Sequence, residues 1–187
     1  ATQWTDNSVA VGSCYEYKIV RSAAGGTGYG YIAAGVEVQP VEYQGKLILL
    51  VDNTLSTAIA TQVAQLQTDL KADGWTVLRQ DVSRTASVSS IRSIITGFYN
   101  ADPTNVKAVY LLGHVPVPYS GNISPDGHST HQGAWPCDGY YGDVNGTWTD
   151  NSVNSTGGYP LNVNVPGDGK FDQSDYPSSL ELQVGRV

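Results

Sequence analysis

The sequence predicts an α/β fold in which a short parallel sheet carries helices on its faces. The segment KLILLVD, residues 46–52, is a continuous apolar run, as expected of a strand that is covered on both sides. Strand-like and helix-like segments then alternate as far as Gly113. Strands that are joined through helices lie parallel, with right-handed crossovers, so this order predicts one parallel sheet.

Residues 1–45 predict a β-rich extension, or the end of a β-sandwich module, ahead of an α/β domain over residues 46–187. The segment SCYEYKIV alternates between two faces, which is typical of a strand. The glycine-rich segment GGTGYGYIAAGVEV continues with turns and a second short strand. The whole stretch is too short to form a sandwich by itself.

Two amphipathic helices follow the first buried strand. Residues 56–73 carry apolar side chains at helical spacing, with Ser56 placed to cap the start and Gly74 placed just after the end. The second helix is expected over residues 87–101. Further strands are predicted in WTVLRQDV (75–82), VKAVYLLG (106–113) and SSLELQVGRV (178–187).

Gly113 marks the start of a long irregular region rich in Gly, Asn and Asp. A loop region of this length inside a compact domain is usually functional or held by a ligand. The sequence ends on the strand in 178–187 with no helix to cover it, so we expect the α/β domain to be incomplete at this end.

Composition limits the classes of partner. The chain has 187 residues, a net charge of −7 and 14% charged residues, with no run of Lys or Arg, so we expect no nucleic-acid partner. The longest apolar run, LILLV, is far too short to span a bilayer. We expect a peptide or small-molecule substrate, and further domains of the same polypeptide. Spacing alone does not decide whether Cys14 and Cys137 form a disulfide.

Polar residues mark the carboxyl ends of three predicted strands. Asp52, Asp81 and His114 follow or end these strands, and open parallel sheets bind ligands outside the carboxyl ends. The segment 113–143 leaves from the same edge and holds all three histidines of the chain. The alternative is that Asp52 and Asp81 only cap the helices that follow them.

A cysteine–histidine pair is one candidate for catalysis. His114 would take the proton of the Cys137 thiol, and the thiolate would attack a carbonyl group. The alternative is that His114 braces the loop through hydrogen bonds and that Cys137 is a small buried residue.

The segment DGHSTHQGAWPCD is a candidate site for Zn²⁺ or another transition metal. It offers Asp126, His128, His131 and Asp138, with Cys137 beside them, and two histidines plus a carboxylate are the ligand set of a catalytic zinc site. The alternative is a set of neutral histidines that bond to neighbouring Tyr and Asp side chains.

The segment NVPGDGKFDQSD, residues 164–175, matches much of a twelve-residue Ca²⁺ loop. Pro166 stands where an acidic or amide ligand is usual, and Asp143 and Asn145 belong to a second oxygen-rich turn, DVNGTWTD. The alternative is a pair of turns whose side chains bond to their own backbone. The loop register places five residues on ligand positions: Asn164, Asp168, Lys170 through its carbonyl, Asp172 and Asp175.

Several motifs resemble gingipain-type members of the caspase–haemoglobinase superfamily over roughly residues 46–187. That family has a strand ending in Leu-Leu-Gly-Asp, an Asp-x-Tyr-Tyr segment and a strand closing on Val-Gly-Arg. In this chain LLGH puts His114 in place of the aspartate of the first motif. The other two motifs are matched by Asp138, Tyr140 and Tyr141, and by Val184, Gly185 and Arg186. Residues 1–45 resemble the tail of a fibronectin-type module.

The resemblance implies a secreted or cell-surface bacterial protein, a cysteine-peptidase-like domain and bound calcium. In gingipain-type enzymes the catalytic His and Cys follow the Val-Gly-Arg strand, so residues 46–187 would be the N-terminal, non-catalytic half of such a domain. Simple caspases place their catalytic His after the third strand, where His114 stands. Three functions stay open at this point: a calcium-binding cysteine hydrolase, a metal-dependent hydrolase of an ester, lactone or amide bond, and a non-catalytic half-domain of a larger surface protein.

Overall fold

A computed structural model describes residues 3–38 and 42–187, and the chain divides into two compact units, Ala1–Tyr43 and Gln44–Val187. The first unit is a hairpin of two strands, β1 (Cys14–Ala23) and β2 (Gly26–Gly35), which pair antiparallel. Residues 39–41 of the predicted extension lie outside the described residues.

The second unit has mixed α/β structure around a four-stranded parallel sheet of order β4-β3-β5-β8. In chain order the elements of the second unit are β3 (Gly45–Asp52), α1 (Ala60–Ala72), β4 (Trp75–Val82), α2 (Val88–Ala101), β5 (Val106–Leu112), β6 (Tyr119–Ile123), β7 (Gly133–Pro136), α3 (Gly139–Gly142) and β8 (Gln183–Arg186). None of the helices in the described residues has the length and apolar character of a membrane span.

Strand β3 is buried on both faces, because α1 and α2 cover opposite sides of the sheet. Leu47, Leu49 and Val51 belong to one cluster with Val63 of α1. Ile48 and Leu50 belong to the other, with Ile91 of α2. Successive side chains of a strand point to opposite faces, so the continuous apolar run feeds two separate core clusters. The parallel sheet flanked by helices confirms the α/β prediction at this level.

Helix α1 begins later than predicted. It starts at Ala60, its N-cap is Ile59, and no side chain caps it. Ser56 instead donates its hydroxyl to the carbonyl of Asn53 inside a turn. Helix α2 does have the expected kind of cap, since the Ser87 hydroxyl accepts a hydrogen bond from the backbone N–H of Ser90.

The region after Gly113 has more regular structure than the sequence predicted. Strands β6 and β7 pair antiparallel, and a short 3₁₀ helix, Ser129–His131, lies between them. An aromatic cluster then closes the α2 side of the core, with the rings of Tyr140 and Phe171 stacked at 4.2 Å and Trp148 edge-on to Tyr140 at 5.3 Å. Ring packing orders this region, whereas the sequence pattern showed only its turn residues.

Candidate metal centre and ligand grooves

The 3₁₀ helix and the loop before it bring Asp126, His128 and His131 together. One ligand atom from each of the three lies within 4.8 Å of the others. The Oδ2 atom of Asp126 is 3.1 Å from Nδ1 of His128 and also contacts Nδ1 of His131. In residues 3–38 and 42–187, this is the group of three or more His, Cys, Asp or Glu side chains whose ligand atoms lie close enough together to hold one metal ion.

Backbone geometry holds this cluster in place. Gly127 adopts a left-handed φ of 78°, and the turn it makes lets the backbone N–H of His128 donate to Oδ1 of Asp126 at 3.1 Å. The ring of His131 lies 5.1 Å from that of Tyr159. The backbone bond from His128 and the two imidazoles lower the pKa of Asp126, so its carboxylate is in the charged form that a metal ligand requires.

Asp138 is not part of this cluster. Its two carboxylate oxygens accept bidentate hydrogen bonds from Arg186, Oδ2 from Nε at 2.8 Å and Oδ1 from Nη2 at 2.7 Å. Arg186 also donates to the carbonyls of Val115 and Pro116. Arg186 therefore ties the end of β8 both to Asp138, just before α3, and to the segment that leaves β5.

His114 and Cys137 line different grooves, and no hydrogen bond joins them within the part of the chain that the structure describes. Cys137 lines a groove of about 560 Å³ together with Trp135 and Trp148. His114 lines a second groove of about 650 Å³ at the carboxyl ends of the strands. Burial raises the pKa of the Cys137 thiol, which opposes formation of a thiolate. Cys14 and Cys137 are each a free thiol.

The two strand-end aspartates have different surroundings. Asp52 is completely buried and accepts hydrogen bonds from Arg84, from Thr54 and from the backbone N–H of His114. Burial by itself would raise the pKa of Asp52, but these donors lower it well below its usual value. Asp81 is exposed and pairs with Arg79 of its own strand at 2.8 Å. The structure thus brings Asp52, but not Asp81, to His114.

In the predicted calcium loop, the carboxylates bond to the backbone. Asp172 accepts hydrogen bonds from the N–H groups of residues 151, 152 and 153 and from the Thr149 hydroxyl. Burial of Asp172 opposes its charge, yet these donors lower its pKa strongly. Asp168 accepts from the N–H groups of Val165 and Lys170. Asp175 is exposed and lines the Cys137 groove.

Asn164 and Lys170, the other two predicted calcium ligands, also bond to protein groups. Asn164 is fully buried, and its Nδ2 donates to the carbonyls of Gly121 and Phe171. Its Oδ1 is buried and has no hydrogen-bond partner among the described residues. The Lys170 ammonium contacts the carbonyl of Val163 and lies 3.7 Å from Oδ2 of Asp168, so the loop already contains a cation.

The second oxygen-rich turn is held by protein groups. Asp143 is fully buried and accepts from the Gly146 N–H and the Ser178 hydroxyl. Asn145 donates from its backbone N–H and its amide to the Glu181 carboxylate. These bonds connect the turn to the segment just before β8.

Three residues that the sequence did not single out position these segments. Arg84 pairs with buried Asp52. Its position just after the predicted strand 75–82 was the one sequence feature that could have pointed to a role at the strand ends. Arg92 donates to the carbonyls of residues 143, 144 and 146, and Asp150 accepts from the N–H groups of Gly167 and Gly169. Contacts between residues so far apart in the chain leave no trace in local sequence periodicity.

Comparison of the chain with known protein families, curated proteins and solved structures gives no match.

Proposed function

We propose that the second unit is a hydrolase-like domain that binds a transition metal through Asp126, His128 and His131. The observation that carries this proposal is the mutual approach of the three ligand atoms to within 4.8 Å. Two imidazoles and one carboxylate suit Zn²⁺, and a set of three protein ligands leaves a coordination position open, as in catalytic zinc sites.

The exposure of the cluster favours access from solvent. The His128 side chain is 72% exposed and that of His131 is 26% exposed. A Zn²⁺ ion at this place would supply Lewis-acid chemistry for cleavage of an ester, lactone or amide bond. The chain supplies the charged carboxylate of Asp126 and the backbone bond from His128 that orients it.

The test is a zinc titration of chelator-treated protein by calorimetry, combined with an ester-hydrolysis assay. We expect wild-type protein to bind one Zn²⁺ and to hydrolyse p-nitrophenyl acetate faster when zinc is bound. His128→Ala should lose both properties, whereas His114→Ala should keep zinc binding. Zinc binding without hydrolysis would remove the enzymatic part of the proposal, and absence of zinc binding would remove all of it.

We also propose that the second unit is a gingipain-type domain of a secreted or cell-surface bacterial protein. The motifs that carry the resemblance contact one another: Asp138 pairs with Arg186, and the Tyr141 hydroxyl donates to the Pro116 carbonyl at 2.7 Å. The separation of His114 from Cys137 favours a non-catalytic role for the cysteine in such a domain.

Calcium binding by residues 164–175 is a second, separate proposal. Its support is the buried Oδ1 atom of Asn164, because an amide oxygen without a hydrogen-bond partner is a ligand that Ca²⁺ accepts. Calcium that binds only the folded state would increase the free energy of unfolding by about 2.7 kcal/mol at one hundred times the Kd. The melting temperature would rise as a result. A melting temperature that is equal in millimolar calcium and in excess chelator would contradict the proposal, and Asn164→Ala is the matched variant.

A further inference from the structure

A groove at the carboxyl ends of the sheet strands has the location that open parallel sheets use for ligands. The sheet order β4-β3-β5-β8 puts the switch in strand order between β3 and β5, because α1 and α2 lie on opposite faces. Ligands of such sheets bind outside the carboxyl ends at the switch point. The groove measures about 650 Å³, a size that suits a small molecule. Its lining residues are Arg84, Thr85, residues 113–117, Arg186 and Val187.

The base of this groove is rigid. Buried Asp52 accepts from Arg84 Nε at 3.1 Å, from Arg84 Nη2 at 2.6 Å and from the backbone N–H of His114 at 3.2 Å. Gly113 has a φ of 84°, and a Cβ atom at this position would lie only 2.9 Å from Cβ of Asp52. Glycine is therefore required for the approach that brings the Arg84 guanidinium and the backbone N–H of His114 to the same carboxylate oxygen of Asp52.

Two hydrogen-bonding groups at the groove have no partner among the described residues. Arg84 uses Nε and Nη2, and its Nη1 donates no hydrogen bond within the described residues. The ring of His114 likewise has no hydrogen-bond partner in the described ranges. Arg186 differs, because all three of its nitrogens donate to Asp138, Val115 or Pro116.

The remaining wall of the groove is apolar. Val117 is 39% exposed and Val187 is 64% exposed, with Pro116 between Val117 and the buried Val115. Asp52 is fully buried beneath Arg84, and no acidic side chain of the described residues is part of the groove's exposed lining. The groove thus combines free donors with an apolar surface, and this pairing fits an anion that carries a short apolar chain.

We propose that this groove binds a small carboxylate ligand, with the carboxylate on Arg84 Nη1 and the His114 ring and the apolar chain on the valine wall. The site is separate from the proposed metal centre. Arg84 offers the planar N–H geometry that carboxylates accept, and Asp52 holds its guanidinium in place for that contact.

The test compares hexanoate with its neutral analogue hexanamide by calorimetry and by amide shifts in two-dimensional NMR. We expect hexanoate to bind, with shifts at Gly113, His114 and Val115, and hexanamide to bind at least tenfold more weakly. His114→Phe keeps an aromatic ring but removes its two nitrogens, and it should weaken hexanoate binding about tenfold. Arg84→Met should weaken it further, and Arg84→Lys, which keeps the charge over Asp52, is the variant to use if Arg84→Met does not fold.

Two controls isolate the groove. Arg79→Met removes an arginine that pairs with Asp81 on β4 and does not line the groove, and it should leave the hexanoate Kd unchanged. His128→Ala removes a proposed metal ligand, and it should also leave hexanoate binding intact, so a failure of the metal proposal does not affect this one. Equal affinity for hexanoate and hexanamide, no binding of hexanoate, or unchanged binding in both His114→Phe and Arg84→Lys would overturn the proposal.

Discussion

Arg186 connects three segments at the carboxyl ends of the sheet strands. Its guanidinium bonds both carboxylate oxygens of Asp138 and the carbonyls of Val115 and Pro116. The side chains of Arg186 and Asp138 are 23% and 28% exposed, so solvent weakens their ion pair only in part. This one side chain therefore holds the end of β8, the segment after β5 and the segment before α3 together.

We expect Asp138→Asn to reduce the free energy of unfolding by about 1–2 kcal/mol, because a charge-assisted bidentate pair becomes a neutral contact. Urea unfolding measures this change. Asp81→Asn is the matched control, since Arg79 and Asp81 are neighbours on one strand and their pair joins no distant segments. The control should change stability by no more than about 0.5 kcal/mol. Equal losses in the two variants would show that Asp138 has no connecting role.

Acid should destabilise the fold through Asp172. Hydrogen bonds from the N–H groups of residues 151–153 and from Thr149 lower its folded pKa, so it favours the folded state at any pH above the unfolded value of about 3.9. This contribution is lost as pH falls below about 4, toward the folded pKa. Asp172→Asn should be less stable than wild type at pH 7, and the difference should shrink at pH 3. A difference that stays constant between these pH values would contradict the assignment.

The starts of α1 and α2 show what a sequence pattern can and cannot predict. Both helices have a serine near the predicted start, and both apolar stripes pack as expected. Ser87 caps α2, but α1 begins after a turn in which Asp52 accepts from the N–H and hydroxyl of Thr54. That turn depends on the burial of Asp52 beside Arg84, a long-range contact that local spacing does not report.

Ser87→Ala should destabilise the protein by about 1 kcal/mol, because the N–H of Ser90 loses its acceptor. Ser56→Ala is the matched control, since its hydroxyl donates to a turn carbonyl and caps no helix. Thermal unfolding of the two variants measures the difference. A larger loss in Ser56→Ala than in Ser87→Ala would mean that the start of α1 has been assigned wrongly.

For the molecule as a whole, the parallel sheet and the histidine loop could be predicted from the sequence to different extents, and the order of the strands was not predicted. Continuous apolar strands and alternating helices predicted the parallel sheet, because burial on both faces leaves a clear pattern. The grouping of Asp126 with His128 and His131 followed from their closeness in sequence. The pairing of Asp138 with Arg186, rather than with the histidines, depends on tertiary contacts across 48 residues.

Elemental analysis of the metal bound per chain tests the proposed transition-metal centre. Protein loaded with Zn²⁺ and freed of excess metal should contain one zinc per chain, and His114→Ala should contain the same. His128→Ala, His131→Ala and Asp126→Asn should each contain much less zinc while keeping the wild-type fold, because these side chains lie on the 3₁₀ helix and the loop before it, outside the sheet core. Unchanged zinc content in all three variants, or no zinc in wild-type protein, would contradict the proposed metal site.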